Sequence, residues 1–399
     1  IGHDGLDAPD APSIDSVTAG NEQVSVAFTA GTAGTTATTG FVAQVSANGT
    51  DYSGGSATGS SSPITVSSLT NGTSYTAKVW AVNAHGTSEP SSASSSFTPV
   101  VPERAIHAGG NNSDPLNLNV IQFLDINSSG NTSDFGDLVR QRGGGAFGLG
   151  SSTRGVVGGG AGSGGADMDY ITIASTGNAS DFGDMETYQS STNSSARDEL
   201  GGGGNETRGI ITGTAFLSGN NKIDYITIAS TGNTTNFGDT TASSSDNQAR
   251  GAGSTTRFIF GGFQSNRDQA EYVTIASTGN ATTFGDLGTD NFSNSAVVSS
   301  ATRCVWMGGQ NRTDNIKFVT IASTGNASDF GTLSAAKNQP AGASNKTKGL
   351  AMGGQLSSGR TNVIEQITIA STGNATDYGD LTEAIRNGAG LSNAHGGLS

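Results

Sequence analysis

The residues best suited to chemistry are few, and most of them recur at fixed places. Asn131, Asn178, Asn233, Asn280, Asn326 and Asn374 each open an Asn-x-Ser/Thr sequon, the acceptor pattern for glycosylation in a eukaryotic secretory route. The same tripeptide returns six times in the same setting, so its first reading is turn chemistry: Gly-Asn supplies the bend and the following Ser or Thr bonds locally. Cys304, His107 and His395 are metal-binding residue types, yet the chain has a single cysteine. Aligned on the repeats described below, His107 falls level with Val157, Ile211, Phe260 and Trp306 and reads as a packing residue. Cys304 falls level with Gly155 and Gly209 and reads as inert. Gly201 to Gly204 is a glycine run with no Lys-Ser or Lys-Thr after it. It is no phosphate loop and reads as a flexible connection. No cofactor and no metal site is implied.

A second set of residues lies where the repeats differ from one another. Tyr188, Phe216, Phe263, Arg267, Asp290, Phe292, Asn311, Arg312, Asp314 and Arg360 stand among small polar residues in connections that vary from repeat to repeat. Uniform turns suit a framework, whereas differing loops with exposed aromatics and hydrogen-bonding groups suit a reading surface. Aromatic faces beside Asn, Asp and Arg fit sugar rings, so the expected chemistry is weak, multivalent glycan contact. The alternative is neutral drift on an idle face.

Composition limits what these residues can serve. The 399 residues include 61 Gly, only 13% are charged, and the formal net charge is −14. The 19 basic residues are scattered singly, which excludes the clustered cationic surface of a nucleic-acid binder. No apolar run approaches the length of a membrane-spanning helix, so no membrane insertion is expected. One cysteine allows no intrachain disulfide, which favours assembly inside a cell or a microbial or viral surface protein. The chain opens on Ile rather than Met, as a processed or truncated one would, and no signal peptide is visible. No helical periodicity lasts beyond two turns; short β-branched runs such as Tyr170-Ile171-Thr172-Ile173 recur between turn signals instead. The expected class is all-β.

Two kinds of element must carry the candidate residues. Over residues 9–99, Val24, Val26 and Phe28 alternate, then Phe41, Ala43 and Val45, then Ile64 and Val66, the pattern of short half-buried strands. The segment from Leu69 through Thr73, Tyr75, Val79 and Ala81 to Asn83, followed by Gly86, Ser88 and Pro90, resembles the fibronectin type III pattern. That resemblance covers this first region and implies a seven-stranded sandwich in which Tyr75 is the corner tyrosine, its hydroxyl bonded to nearby backbone. Phe28 stands where the family usually buries a Trp. Trp80 falls out of phase with Tyr75, Ala77, Val79 and Ala81, so period two sends it to the outer face with Val42. Both are candidates for a domain or partner contact; the alternative is a partly covered surface Trp.

From residue 104 the chain repeats. Ile-Thr-Ile-Ala-Ser-Thr-Gly-Asn or a variant ends at 131, 178, 233, 280, 326 and 374, with gaps of 47, 55, 47, 46 and 48. Each copy opens on Arg104, Arg154, Arg208, Arg257, Arg303 or Lys348, and reaches an aromatic at Phe135, Phe182, Phe237, Phe284, Phe330 or Tyr378. A period of about fifty residues belongs to four-stranded propeller blades. The order of these features resembles kelch repeats, with Phe where kelch carries Trp and a longer spacing from Asn to the aromatic, so the expectation is a kelch-like six-bladed β-propeller. The first copy lacks the strand before its Gly-Gly strand, and Arg386 to Ser392 matches the missing piece. A C-terminal strand beside the one holding Ile106 to Gly110 should therefore close the ring. The expected division is an extension over 1–8, a sandwich over 9–99, a linker over 100–103 and the propeller over 104–399.

The repeats also resemble, in wording and spacing, those of structural proteins in tailed bacteriophages, especially marine ones, over about three quarters of the chain. That resemblance implies a virion-surface protein (a tail fibre, an adhesin or a capsid appendage) assembled in the host cytoplasm. Its partners would be other virion proteins, a host cell-surface glycan or protein, and further copies of itself. A purely structural decoration protein without a specific ligand is the alternative. An enzyme is disfavoured. The Ser-rich turn before an aromatic resembles the sialidase Asp-box, but that motif is structural, and no acid paired with a Tyr stands out among the arginines to make a glycan hydrolase. Kelch-type copper radical oxidases need two His, two Tyr and a Cys; the repeats hold only His107, His395 and Cys304.

Overall fold

The computed structural model describes residues 7–114, 117–161, 165–186, 199–213, 221–241, 249–263 and 268–398. The described regular elements are antiparallel strands, apart from one 3-10 turn at Gly396–Leu398. The chain divides into two compact units, Ile1–Pro102 and Glu103–Ser399.

In the first unit one sheet holds Ser13–Gly20, Gln23–Thr29 and Ile64–Ser67; the other holds Ser56–Gly59, Gly40–Ser46, Thr76–Asn83 and Gly86–Thr87. Alternation puts Val24, Val26 and Phe28 of one sheet and Phe41, Ala43, Val45, Ala77, Val79 and Ala81 of the other into a single buried core. The Tyr75 hydroxyl accepts the Thr70 N–H at 3.2 Å. Trp80 sits opposite Val42 on the face turned away from that core, half-buried, with Tyr52 edge-on to it at 6.3 Å.

Among its described residues the second unit holds six four-stranded sheets and one two-stranded ribbon, Gln355–Leu356 with Gly359–Arg360. Sheet I is built from both ends of the unit: Ala389–Ser392, Arg104–Ala108, Leu118–Asp125 and Ser133–Arg142. Sheet II takes Phe147–Gly150, Arg154–Gly158, Asp167–Thr172 and Ser180–Asp184; sheet III takes Gly201–Gly204, Arg208–Thr212, Lys222–Thr227 and Thr235–Asp239. Sheet IV takes Arg250–Gly253, Arg257–Gly261, Gln269–Thr274 and Thr282–Asp286. Sheet V follows with Ala296–Ser299, Arg303–Met307, Thr313–Thr320 and Ser328–Lys337, and sheet VI with Ala341–Ser344, Lys348–Met352, Val363–Thr368 and Thr376–Asp380. The late strand of sheet I pairs Ala389 with Ala108 and Ser392 with Ala105. It starts at Ala389 rather than Arg386, which makes only an isolated bridge to Asn111.

The first strand of each sheet contacts that of the next, from I to II through to VI and from VI back to I. This close approach explains the glycines. A Cβ on Gly342 would lie 2.6 Å from the Val297 carbonyl oxygen, and one on Gly203 would lie 2.6 Å from the Phe258 ring. The run Gly201–Gly204 is therefore an inner strand, buried at both ends, and not a flexible connection.

The repeated residues join one sheet to the next. Gly177 N–H donates to the Phe135 carbonyl and Ala179 N–H to that of Asp137, each at 2.8 Å, while Asn178 Oδ1 accepts the Asp137 N–H at 3.1 Å. Every junction repeats this trio, including the one where Gly130, Thr132 and Asn131 meet Tyr378 and Asp380. The outer strand's otherwise free edge is thereby paired. It also fixes the glycine after each aromatic: on Gly136, Gly183, Gly238, Gly285, Gly331 or Gly379 a Cβ would run into the carbonyl of the neighbouring turn.

The opening arginines complete the junctions. Arg104, Arg154, Arg208, Arg257 and Arg303 lie over Phe123, Tyr170, Tyr225, Tyr272 and Phe318 at 4.3 to 4.8 Å. Each donates from Nη1 to a carbonyl of the next sheet: Ile173, Ile228, Ile275, Ile321 and Ile369 respectively. Sheet VI differs. Its Lys348 carries no fork, and the Tyr378 hydroxyl donates instead to the equivalent Ile126 carbonyl at 2.8 Å.

Candidate functional site

Buried polar and ionisable groups are the first place to look for chemistry, and here the fold uses them between sheets. Gln122, Asp169, Asp224, Glu271 and Glu365 occupy one equivalent place on the third strands, all buried. Four of them accept a backbone N–H three residues beyond the outer-strand glycine of the preceding sheet. Val139 donates to Asp169, Thr241 to Glu271, Ser334 to Glu365 and Thr382 to Gln122, at 2.6 to 3.2 Å. Arg142 adds an ion pair to Asp169 at 3.1 Å and Lys337 one to Glu365 at 2.5 Å, all four side chains sealed from solvent. Desolvation pushes the Asp169 carboxyl upward against the opposing pull of Arg142.

Of the remaining sequence candidates for metal chemistry, His107 and Cys304 are fully enclosed and His395 is half-buried. Burial pushes the His107 imidazole down to about 4, and both ring nitrogens lack a hydrogen-bond partner among the described residues. Burial raises the Cys304 thiol far above its ordinary range. His395 lies at the end of the inner strands, its Nε2 2.9 Å from the Gly150 carbonyl while its Nδ1 accepts the Gly397 N–H at 3.1 Å. Nε2 is therefore the protonated nitrogen. Among the described residues no group of three His, Cys, Asp or Glu could hold a metal ion.

The second unit has two chemically different ends. The turn end carries the hairpins from first to second and from third to fourth strand; the loop end carries the other connections. The varying residues singled out by the sequence belong to the loop end. Tyr188, Phe216 and Arg267 lie outside the described residues. Phe263 and Phe292, expected as exposed contacts, are instead fully buried. Phe263 packs edge-on to Phe260 at 6.0 Å, and Phe292 joins the core around Trp306 and Leu287. Gly262, at φ 79°, turns the backbone inward against Phe292, and burial of an aromatic ring outweighs anything gained by leaving it in water. Asp290 is half-buried, 3.5 Å from Lys317 Nζ. Asn311, Arg312 and Asp314 are exposed. Arg360 meets Asp114 at 2.7 Å, and Arg386 meets the same carboxylate at 2.8 Å. Desolvation would raise Asp114, but the two guanidiniums outweigh it and hold the carboxyl below its usual range.

Backbone strain concentrates at this end. Glu199, Asn294, Gln339 and Asn387 are left-handed, with φ between 55° and 59°, each standing two residues before the first residue of an inner strand. Gly145 holds the same place before sheet II. Asn311 and Arg312 are left-handed as well. Every described non-glycine residue of the second unit with positive φ is thus at the loop end, four of the six at the one repeated place where the chain turns into an inner strand. Consecutive members are tied by backbone hydrogen bonds: Asn387 N–H to the Gln339 carbonyl at 3.0 Å and Gln339 N–H to that of Asn294 at 2.9 Å.

No protein-family model matches the chain, and no curated protein is similar to it.

A small polar cavity is lined by the starts of the inner strands, Arg250 and Ser295 among them. Arg250 is buried, and desolvation lowers its pKa against the attraction of Glu199. Glu199 is pushed up by desolvation, opposed by Arg250, by a hydrogen bond from Asn294 and by Arg386. These residues escape sequence reasoning because none belongs to the repeated phrases. The available signal is alignment of the residues just before each inner strand, where Gly, Asn, Gln and Glu share one place that needs positive φ.

Proposed function

We propose that the second unit is a kelch-like six-bladed β-propeller, the first a fibronectin type III-like sandwich, and the whole a non-enzymatic virion-surface protein. On this reading the propeller's loop end attaches to a host-surface glycan, and the turn end is framework. The observation that carries it is the split between repeated and unrepeated residues. The repeated Asn, Gly and Arg are consumed by hydrogen bonds between sheets, whereas exposed polar side chains such as Asn311, Arg312 and Asp314 stand where the repeats differ. The cyclic order of inner-strand contacts and the sheet shared by both chain ends support a closed ring. The sealed ion pairs and the enclosed His107 and Cys304 support a binding role over a catalytic one.

The reading is tested by adsorption of the purified full chain to bacterial cells and to a panel of their surface polysaccharides. The variant combining Arg312→Ala and Asp314→Ala should lose adsorption at an unchanged melting temperature, because both side chains are exposed. Unaltered adsorption by a folded double variant would refute the assignment of the loop end.

A further inference from the structure

At the turn end, the last residue of the inner strand is Ser392, Gly150, Gly204, Gly253, Ser299 or Ser344 in sheets I to VI. Where it is serine, its hydroxyl ties two sheets together. Ser299 Oγ donates to the Gly253 carbonyl at 2.7 Å, Ser344 Oγ to that of Ser299 at 3.0 Å, and Ser392 Oγ to that of Ser344. Sheets II, III and IV hold glycine at this place, so the ladder cannot continue onto the carbonyls of Ser392, Gly150 and Gly204.

The segment 393–398 lies over that gap. Asn393 Oδ1 accepts the Arg104 N–H at 2.8 Å, and Leu398 N–H closes the 3-10 turn on the His395 carbonyl at 2.9 Å. His395 Nε2 donates to the Gly150 carbonyl, where a serine of sheet III would have donated, and Gly397 N–H donates to His395 Nδ1. The two glycines of the turn permit the fit: a Cβ on Gly397 would run into the Gly204 carbonyl, and one on Gly396 into that of Ser300. His395 also lines the cavity between the strand ends, beside Ser299, Ser344 and Ser392. One short turn thus touches sheets II, III and V.

This arrangement admits one form of the imidazole. A ring nitrogen that accepts an N–H cannot carry a proton of its own, so protonating Nδ1 sets two donors face to face and forfeits the tie to Gly397. Desolvation holds His395 below its usual 6.5, against the opposing pull of the Gly150 hydrogen bond and of Glu206. Glu206 stands on the first hairpin of sheet III, its carboxylate held by Ser152 N–H and Oγ at 2.9 and 2.6 Å. The arginines of the adjoining hairpins, Arg154 and Arg208, lie over Tyr170 and Tyr225.

We propose that the segment 393–398 is an acid-released cap: neutral His395 fastens it over the turn end of the inner strands, and a proton on Nδ1 lets it go. The released form takes up the proton more readily than the fastened one, so fastening is complete above the usual histidine range and is lost as pH falls through and below it. Hydrogen–deuterium exchange of the full chain at pH ~7 and pH ~5, each rate divided by that of an unstructured peptide at the same pH, tests it. Protection over 393–398 should fall roughly tenfold, while the second strands Arg154–Gly158 and Arg257–Gly261 keep theirs. His395→Gln, which keeps a donor for Gly150 and does not titrate, should remove the pH dependence. Glu206→Gln should move the release to lower pH, and His107→Val should leave it where it is. An unprotected segment at pH ~7 would overturn the cap, and equal protection of the wild type at both pH values would overturn its release. The same fall in His395→Gln, or a release that Glu206→Gln does not move, would overturn the role of His395; loss of protection in the second strands alongside the segment would show unfolding of the whole unit instead of a cap.

Discussion

Tyr378→Phe isolates a single side-chain donor at the junction between sheets VI and I. Five equivalent positions already hold Phe (Phe135, Phe182, Phe237, Phe284 and Phe330), so the smaller ring fits and only the hydroxyl is lost. That hydroxyl donates to Ile126 O at 2.8 Å and to Asp125 O at 3.1 Å, doing for this junction what an arginine Nη1 does for the others. Leaving the Ile126 carbonyl without that donor should cost about 1–3 kcal/mol, which in a unit of this size lowers the melting temperature by roughly 2–6 °C. Lys348→Arg should restore most of the loss in the Tyr378→Phe background and add little to the wild type, since one carbonyl needs only one donor. Thermal and urea unfolding of the four proteins form a double-mutant cycle. Additive effects, or a Tyr378→Phe variant as stable as the wild type, would show that the junction does not depend on this exchange of donors.

Two further outcomes follow from buried charge. His107 is neutral in the fold, with its pKa depressed to about 4 from 6.5, so the unfolded chain takes up the proton first as pH falls. Stability should drop between pH 6.5 and 4, by about 2 kcal/mol at pH ~5 from this group, and His107→Val, which installs the residue found at the equivalent position 157, should flatten that part of the urea-midpoint profile; an unchanged slope would refute the assignment. Lys337→Met strands the Glu365 carboxylate, whose partner lies at 2.5 Å, and should cost about 3–5 kcal/mol, most of it recovered when Glu365→Gln is added; a single variant of wild-type stability would show that the pair does not seal this junction.

Strand content and the repeat unit are legible in the sequence because period two and a recurring phrase survive any choice of loop. The pairing of the late strand with Arg104–Ala108 is legible too, because one copy lacks what the tail supplies. Side-chain partners are not. The opening Arg and the turn Asn are visible as repeated letters, but that both bond to the neighbouring sheet depends on distances between copies. Phe263 and Phe292 mislead because an apolar residue in a variable connection looks exposed until the backbone is seen to fold it inward. The glycine run at Gly201–Gly204 misleads for the complementary reason: it lacks every side-chain signal of a strand, and close packing by its neighbours alone makes it one. Arg250 and the left-handed residues before the inner strands carry no motif, only a departure from their equivalents in other repeats.

The claim that one end reads and the other end supports is tested most directly by hydrogen–deuterium exchange. The full chain would be compared with and without a saturating surface polysaccharide to which it adsorbs. The account predicts slowed exchange at the loop end, over 308–314, 353–362 and 381–388, with the turns at 174–178, 276–280 and 370–374 unchanged. Protection confined to those turns would contradict it.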